Sequence, residues 1–268
     1  MSSKSLGEPI GGAANLFAWG ENQLIKLYDD EAPAGWVEQM ARVDHALYAA
    51  GLPVPATSGE IVEVNGARGL VYERIEGVPI AHALLGAPDV NADTVAQLAH
   101  TFAEAHARVH ACGNIPEVPL QRQFFPTVIR RLDVLPPDLK EAVLKALDSL
   151  PDGDRLCHGD FHPFNVLLSP RGPIVIDWNN AHIGNPLKDV ARSSLILEGV
   201  SISQPEVQPL VDQFRQAYLE RYFELRPDDD REQLAACRPV VAAMRLSDGI
   251  LEIKDWLLEQ IKTGLAAL

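Results

Sequence analysis

Cysteine is scarce in this 268-residue chain, with only Cys112, Cys157 and Cys237. An odd, sparse set does not make a disulfide framework, and reduced thiols in the cytoplasm are the expected state. Long apolar runs are also missing. No stretch approaches the roughly 18 residues that a membrane helix needs, and the opening MSSKSLGEPIGGAANL lacks the apolar core of a signal peptide. Positive charge is in deficit: 23 Lys and Arg face 37 Asp and Glu, a net charge of −14. That balance argues against a nucleic-acid-binding surface and against anionic lipid as partners. The excess is concentrated early, since residues 1–120 carry 6 basic and 15 acidic side chains. What the chain does have is apolar material, 47% of its residues. At this length a core burying roughly three quarters of the unfolded surface forms without disulfide or structural metal. The length is that of one large domain or two small ones.

The first 73 residues read as β-rich. Leu24–Tyr28 is an apolar run interrupted by one cation, Lys26, and follows the turn Gly20-Glu21-Asn22. Gly11 and Gly12 form a glycine turn before another strand. Residues 35–50 place Trp36, Val37, Met40, Val43 and Leu47 on one helical stripe, ended by Gly51 and the prolines 53 and 55. Strands at 60–64 and 69–73 flank Asn65-Gly66, a favoured hairpin dipeptide. Residues 74–79 are a connector. From residue 80 the pattern is helical. A helix capped by Asp93 or Thr94 carries Val95, Leu98, Ala99, Phe102, His106 and Val109 on one face, and another spans 137–149. Residues 187–264 are helical with a break at 226–230, and a β island interrupts at 155–178. The division is therefore 1–73, a connector at 74–79, and 80–268.

The chemistry lies in the island. His158-Gly159-Asp160-Phe161-His162-Pro163-Phe164-Asn165 leads into the strand Val166–Leu168; a turn and the strand Ile174–Ile176 then end at Asp177. A hairpin sets residues before its first strand beside those after its second, so Asp160, Asn165 and Asp177 are expected at one end. Two carboxylates and an amide oxygen make a hard-oxygen site suited to Mg²⁺. Metal-assisted phosphoryl transfer uses such a set, with base and metal-binding Asn spaced D-x-x-x-x-N and a further metal carboxylate after a hairpin.

In HGDFHPFNVLL, VIDW and the following GNPLKDVAR the sequence resembles the aminoglycoside phosphotransferase family, which includes choline and homoserine kinases. GLPVP at 51–55, LVYERIEGVPI at 70–80 and AEAHARVHACG at 103–113 extend the likeness over residues 7–195. The resemblance implies an α+β, two-lobed protein-kinase-like fold, with a small antiparallel sheet and one helix followed by a larger helical lobe bearing a catalytic hairpin. It implies transfer of the γ-phosphate of ATP (or GTP) to the hydroxyl of a small-molecule acceptor, with Mg²⁺. Asp160 would then be the base, and Asn165 and Asp177 the metal ligands. Lys26 would hold the α- and β-phosphates, and Gly11 and Gly12 would let the backbone turn over them. Backbone groups of Glu73 and Ile75, just after Tyr72, would bond the adenine edge. Asp189 would brace the catalytic loop, and Glu38 is named as the helix partner of Lys26. The glycine turn departs from the family pattern in lacking a full G-x-G-x-x-G.

Other readings compete. His158, Asp160 and His162 form H-x-D-x-H, which would suit a transition-metal hydrolase, although Asn165 and Lys26 would then have no role. His106 and His110 are spaced to chelate metal or, more commonly, to pack in a core. Asp228–Asp230 is the pattern of a solvated loop. A nucleotide-binding module without catalysis would keep the fold. For a cationic acceptor, Glu252, Asp255 and Glu259 share a helical face.

Overall fold

The computed structural model describes residues 6–10, 15–28, 35–86 and 90–268. Gly11 and Gly12 lie outside the described residues. The order begins with β1 (Leu6–Pro9), β2 (Leu16–Trp19), β3 (Gln23–Tyr28), α1 (Trp36–Ala49), β4 (Ile61–Val64) and β5 (Ala67–Glu73). It continues with β6 (Val78–Pro79), α2 (Ile80–Leu85), α3 (Ala92–Ala111), α4 (Gln121–Arg130), α5 (Pro137–Ser149) and β7 (Arg155–Cys157). Then come β8 (Val166–Ser169), β9 (Gly172–Val175), β10 (His182–Gly184), α6 (Pro186–Ser203) and α7 (Gln208–Leu225). The chain closes with α8 (Arg231–Leu246), a 3₁₀ turn at Leu251–Ile253, and α9 (Lys254–Ala266).

Two compact units emerge: residues through Val78 together with Leu167–Asn179, and Pro79–Val166 together with Asn180–Leu268. The change from the first to the second falls inside the 74–79 connector. The β8–β9 hairpin, expected with the helical part, joins the first unit instead. The reason is local bonding: Val175 donates its N–H to Pro53 O at 2.7 Å, and Arg171 pairs with Glu73 at 3.0 Å.

In the first unit five strands run antiparallel in the order β1-β2-β3-β5-β4. Lys26 sits opposite Leu16 on one side and Leu70 on the other. Asn65 and Gly66 both adopt left-handed backbone, φ 52° and 87°, which the two-residue hairpin between β4 and β5 requires. Helix α1 buries Val37, Met40, Val43 and Leu47, the stripe read from the sequence, and packs on β4 and β5.

In the second unit α3 packs on α7, α6 on α7 and α8, and α8 on α9. The α3 stripe is buried as its periodicity dictates, but its N-cap is Asn91, whose Oδ1 accepts from Thr94 N at 2.9 Å, not Asp93 or Thr94. Strand β10 pairs antiparallel with β7, setting His182 opposite Cys157. The break at 226–230 separates α7 from α8 but is not merely a solvated loop. Asp230 caps α8 through Glu232 N at 2.8 Å, and Asp229 is ion-paired to Arg226 at 2.9 Å. Among the described residues no helix is long and apolar enough to cross a membrane.

Candidate active site

Each unit assembles one cluster of the expected residues. In the first, Lys26 reaches from β3 to Asp177, Nζ to Oδ1 at 2.9 Å. Asp177 follows β9 in left-handed backbone, φ 65°, a conformation that few non-glycine residues adopt and that Asp and Asn tolerate best. Asn179 Nδ2 donates to the same Oδ1 at 2.6 Å, and the buried Trp178 indole N–H closes the turn on Val175 O. The helix acid in the field of Lys26 is Asp44. Burial raises its carboxyl to about 6, against the lowering effects of the Tyr72 hydroxyl, which donates to Oδ2 at 2.5 Å, and of the Lys26 cation. Glu38 is placed elsewhere, at 2.6 Å from Arg68, with both side chains about two-fifths exposed. At the connector the Glu73 N–H is taken by Ala56 O at 2.8 Å, and Ile75 lies half-buried in the irregular stretch 74–77.

In the second unit the loop from His158 to Asn165 carries the rest. Burial alone would raise the Asp160 carboxyl. The His162 hydrogen bond and the Arg192 guanidinium outweigh it and hold the group well below the usual carboxylate range. Arg192 Nη2 stands 3.3 Å from Asp160 Oδ1 and 2.8 Å from Asp248, while Arg245 stands 2.6 Å from Asp248 and 3.9 Å from Asp160. Two cations thus sit between two carboxylates. His162 Nε2 lies 3.4 Å from Asp160 Oδ2 and 3.2 Å from Asn165 Nδ2; in the Nε2–H tautomer it donates to Asp160, and in the other it accepts from Asn165. Asn165 is buried and also donates Nδ2 to Asp160 O at 3.0 Å.

Beneath the loop lies Asp189, fully buried on α6. It accepts the N–H groups of His158 (2.7 Å) and Gly159 (2.9 Å), and its Oδ2 receives Nε2 of both His106 and His110 at 3.2 Å. The far ring nitrogens meet tyrosine hydroxyls, His106 with Tyr218 at 2.8 Å and His110 with Tyr222 at 2.7 Å. Donation from Nε2 to a carboxylate makes Nδ1 the acceptor of each neutral ring. Burial pushes both imidazoles down, His110 to about 4. Asp189 is held well below the carboxylate range because the two ring N–H bonds outweigh its burial. These are the only three described residues of metal-ligating type and spacing, and hydrogen bonds already engage them. The H-x-D-x-H string forms no such group: the buried His158 accepts from the Asp160 N–H at 3.2 Å.

Gly159 shows how little freedom the loop has. Its φ is 79°, and a Cβ there would lie 2.2 Å from Asn180 O. Left-handed strain for a non-glycine residue costs about 1–2 kcal/mol before any clash. Gly159→Ala is therefore expected to lower the melting temperature by at least about 4 °C, read by calorimetry. An unchanged melting temperature would contradict the placement of this turn.

Sequence reasoning did not find Arg192 and Asp44 as partners, nor Asp248 and Arg245 at all. Arg192 had a signal, three residues after Asp189 on one helix, whereas Asp248 is 56 positions away with no local pattern. Each unit presents one hard oxygen of the kind a divalent cation takes: Asn165 donates through Nδ2 to Asp160 O, which leaves its Oδ1 to serve as a ligand atom, and in the other unit Asp177 carries a half-exposed carboxylate.

The family model described as Phosphotransferase enzyme family matches residues 9–237, and the chain belongs to that family. It is thus a small-molecule kinase. It is similar to viomycin phosphotransferase of Streptomyces vinaceus, 29% identical over 214 residues covering 69% of this chain and 73% of the relative. A thermostable mutant of aminoglycoside phosphotransferase APH(4)-Ia has the same fold, with a TM-score of 0.62 at 19% identity over 99% of this chain and 94% of that one. So does amicoumacin kinase hAmiN, solved with AMP-PNP, Ca2+ and Ami: TM-score 0.64, 15% identity, 98% and 88% covered. The kinase-like fold that the resemblance implied is the one observed.

Proposed function

We propose that this protein moves the γ-phosphoryl group of ATP (or GTP) to a hydroxyl of a small molecule, with Asp160 receiving the hydroxyl proton. The observation that carries the reading is the Asp160–Asn165 loop: a carboxylate kept ionised, five residues from an amide whose oxygen is left over. A carboxylate with so low a proton affinity is a weak base. Phosphoryl transfer through a loose transition state asks mainly for orientation of the nucleophile, and proton transfer comes late. Asp160 suits that task, because Arg192 and His162 fix the direction of its oxygens. Lys26 would hold the α- and β-phosphates, and Asp177 and Asn165 would hold Mg²⁺. The metal, when bound, would supply charge neutralisation on the phosphate oxygens. The solved relatives with ADP or AMP-PNP and Ca2+ favour a nucleotide and a divalent cation as companions of this fold.

The direct test is release of nucleoside diphosphate by the purified protein, with Mg²⁺, across a panel of hydroxylated acceptors. Lys26→Ala is expected to raise the KM for ATP by roughly 10- to 100-fold, the worth of one charge-assisted hydrogen bond. An unaltered KM would remove Lys26 from the nucleotide site.

A further inference from the structure

We propose that the acceptor presents an apolar ring or branched chain next to its reacting hydroxyl, and that this group seats in a cavity of about 220 Å³ within the helical unit. The proposal rests on the phosphotransfer reading above. The cavity is walled by Leu84 and Leu85 of α2, Ile196 and Val200 of α6, Val211 of α7, and Phe164 of the catalytic loop. Apolar atoms make up nearly all of its surface, and His162 and Arg245 give it a polar edge.

Continuity with the base makes this an acceptor site. His162, Pro163 and Phe164 belong to the loop that carries Asp160, and Pro163 O accepts the Ala81 N–H at 3.0 Å, which fixes α2 to that loop. Arg245 lines the cavity and stands 3.9 Å from Asp160 Oδ1, so a group in the cavity lies one side chain from the base. Phe164 and Leu85, 49% and 37% exposed, are large apolar side chains that such a ligand would cover.

Charge argues the same way. Asp160 and Asp248 are each faced by Arg192 and Arg245, so the cluster beside the cavity has no surplus negative charge for ammonium groups. A polycation would exchange hydration for apolar walls without gaining an ion pair. Glu252, Asp255 and Glu259 do not line the cavity; they stand exposed on α9 and the turn before it. The volume is below the roughly 300–1,000 Å³ of sites that enclose a whole drug-sized ligand, so it would take one moiety of the acceptor.

Two measurements decide the proposal. With methyl-labelled Leu and Val, cyclohexylmethanol at millimolar concentration should give saturable shifts at Leu85 and Val200; none at either would overturn it. In diphosphate-release assays, hydroxylated molecules with an apolar substituent should exceed polycationic amino sugars at least tenfold in kcat/KM. Leu85→Ala should then raise the acceptor KM about 5- to 10-fold and leave the ATP KM unchanged. Efficient turnover of polycations that is indifferent to Leu85→Ala would refute the acceptor class alone. If Mg·ATP neither stabilises the parent protein nor is consumed with any acceptor, the phosphotransfer reading fails instead.

Discussion

Asp160→Asn should lower kcat by roughly 10³-fold while the dissociation constant for Mg·ATP changes less than about threefold. The side chain keeps its shape but can no longer take up a proton, and a positioned general base is worth roughly 10²–10⁴ in rate. It also loses the negative charge that faces Arg192, 3.3 Å away, and Arg245, which leaves both guanidiniums to Asp248 alone. The deficit should therefore appear in kcat, with little change in nucleotide affinity, because the proposed task of Asp160 is the acceptor hydroxyl, whereas the phosphates fall to Lys26. Steady-state kinetics and calorimetric titration separate the two quantities. A loss of less than tenfold would mean that the proton leaves by another route.

A comparably large effect, on folding, is expected at Asp189. Asp189→Ala removes the acceptor of four N–H donors, two from the loop backbone and two from buried imidazoles. Breaking a buried charged cluster by deleting one member costs about 3–5 kcal/mol, or about 10 °C in melting temperature for a chain of this size. The same cluster sets the response to acid. His110 is buried neutral with its proton affinity pushed down to about 4, whereas in the unfolded chain it titrates at its ordinary value. Below pH 6.5 the unfolded state thus binds the extra proton, and stability falls as pH drops, by about 3 kcal/mol between 6.5 and 4. His106 adds to the same trend, being lowered by the same burial. Asp189 is depressed below its unfolded value, so its own contribution is complete above about pH 4 and fades only at lower pH. Urea titrations at pH 7 and pH 4.5 should show the loss, and His110→Gln should flatten it. A midpoint independent of pH across that range would exclude neutral buried imidazoles.

How much of this was legible in the sequence depended on distance along the chain. The loop from His158 to Asn165 and the hairpin to Asp177 were readable because their spacing is local and glycine and proline mark the turns. The stripes of α1 and α3 were readable because burial on one face repeats every 3.6 residues. Helix α4 was not found, since Pro126 lies inside it and suggests a break; in the structure it is absorbed within the helix. Short α2 and the edge strand β1 offered too few residues for a period to show. The Lys26 neighbourhood was misread at Glu38 because a helix of 14 residues presents several acids, and only the packing of α1 on the sheet sets Asp44 toward the lysine. The Arg192–Asp248–Arg245 cluster joins α6 to the end of α8, and no window of sequence contains both.

Helix α6 divides its labour along its length. Its first two turns hold Asp189 and Arg192 against the loop, and its later turns supply Ile196 and Val200 to the apolar cavity. Selection on the later turns can thus exchange one acceptor for another while the first two stay untouched. Variants that change what is phosphorylated should accumulate there without a matching loss of speed or heat resistance, and a lineage can drift in diet while its engine is conserved.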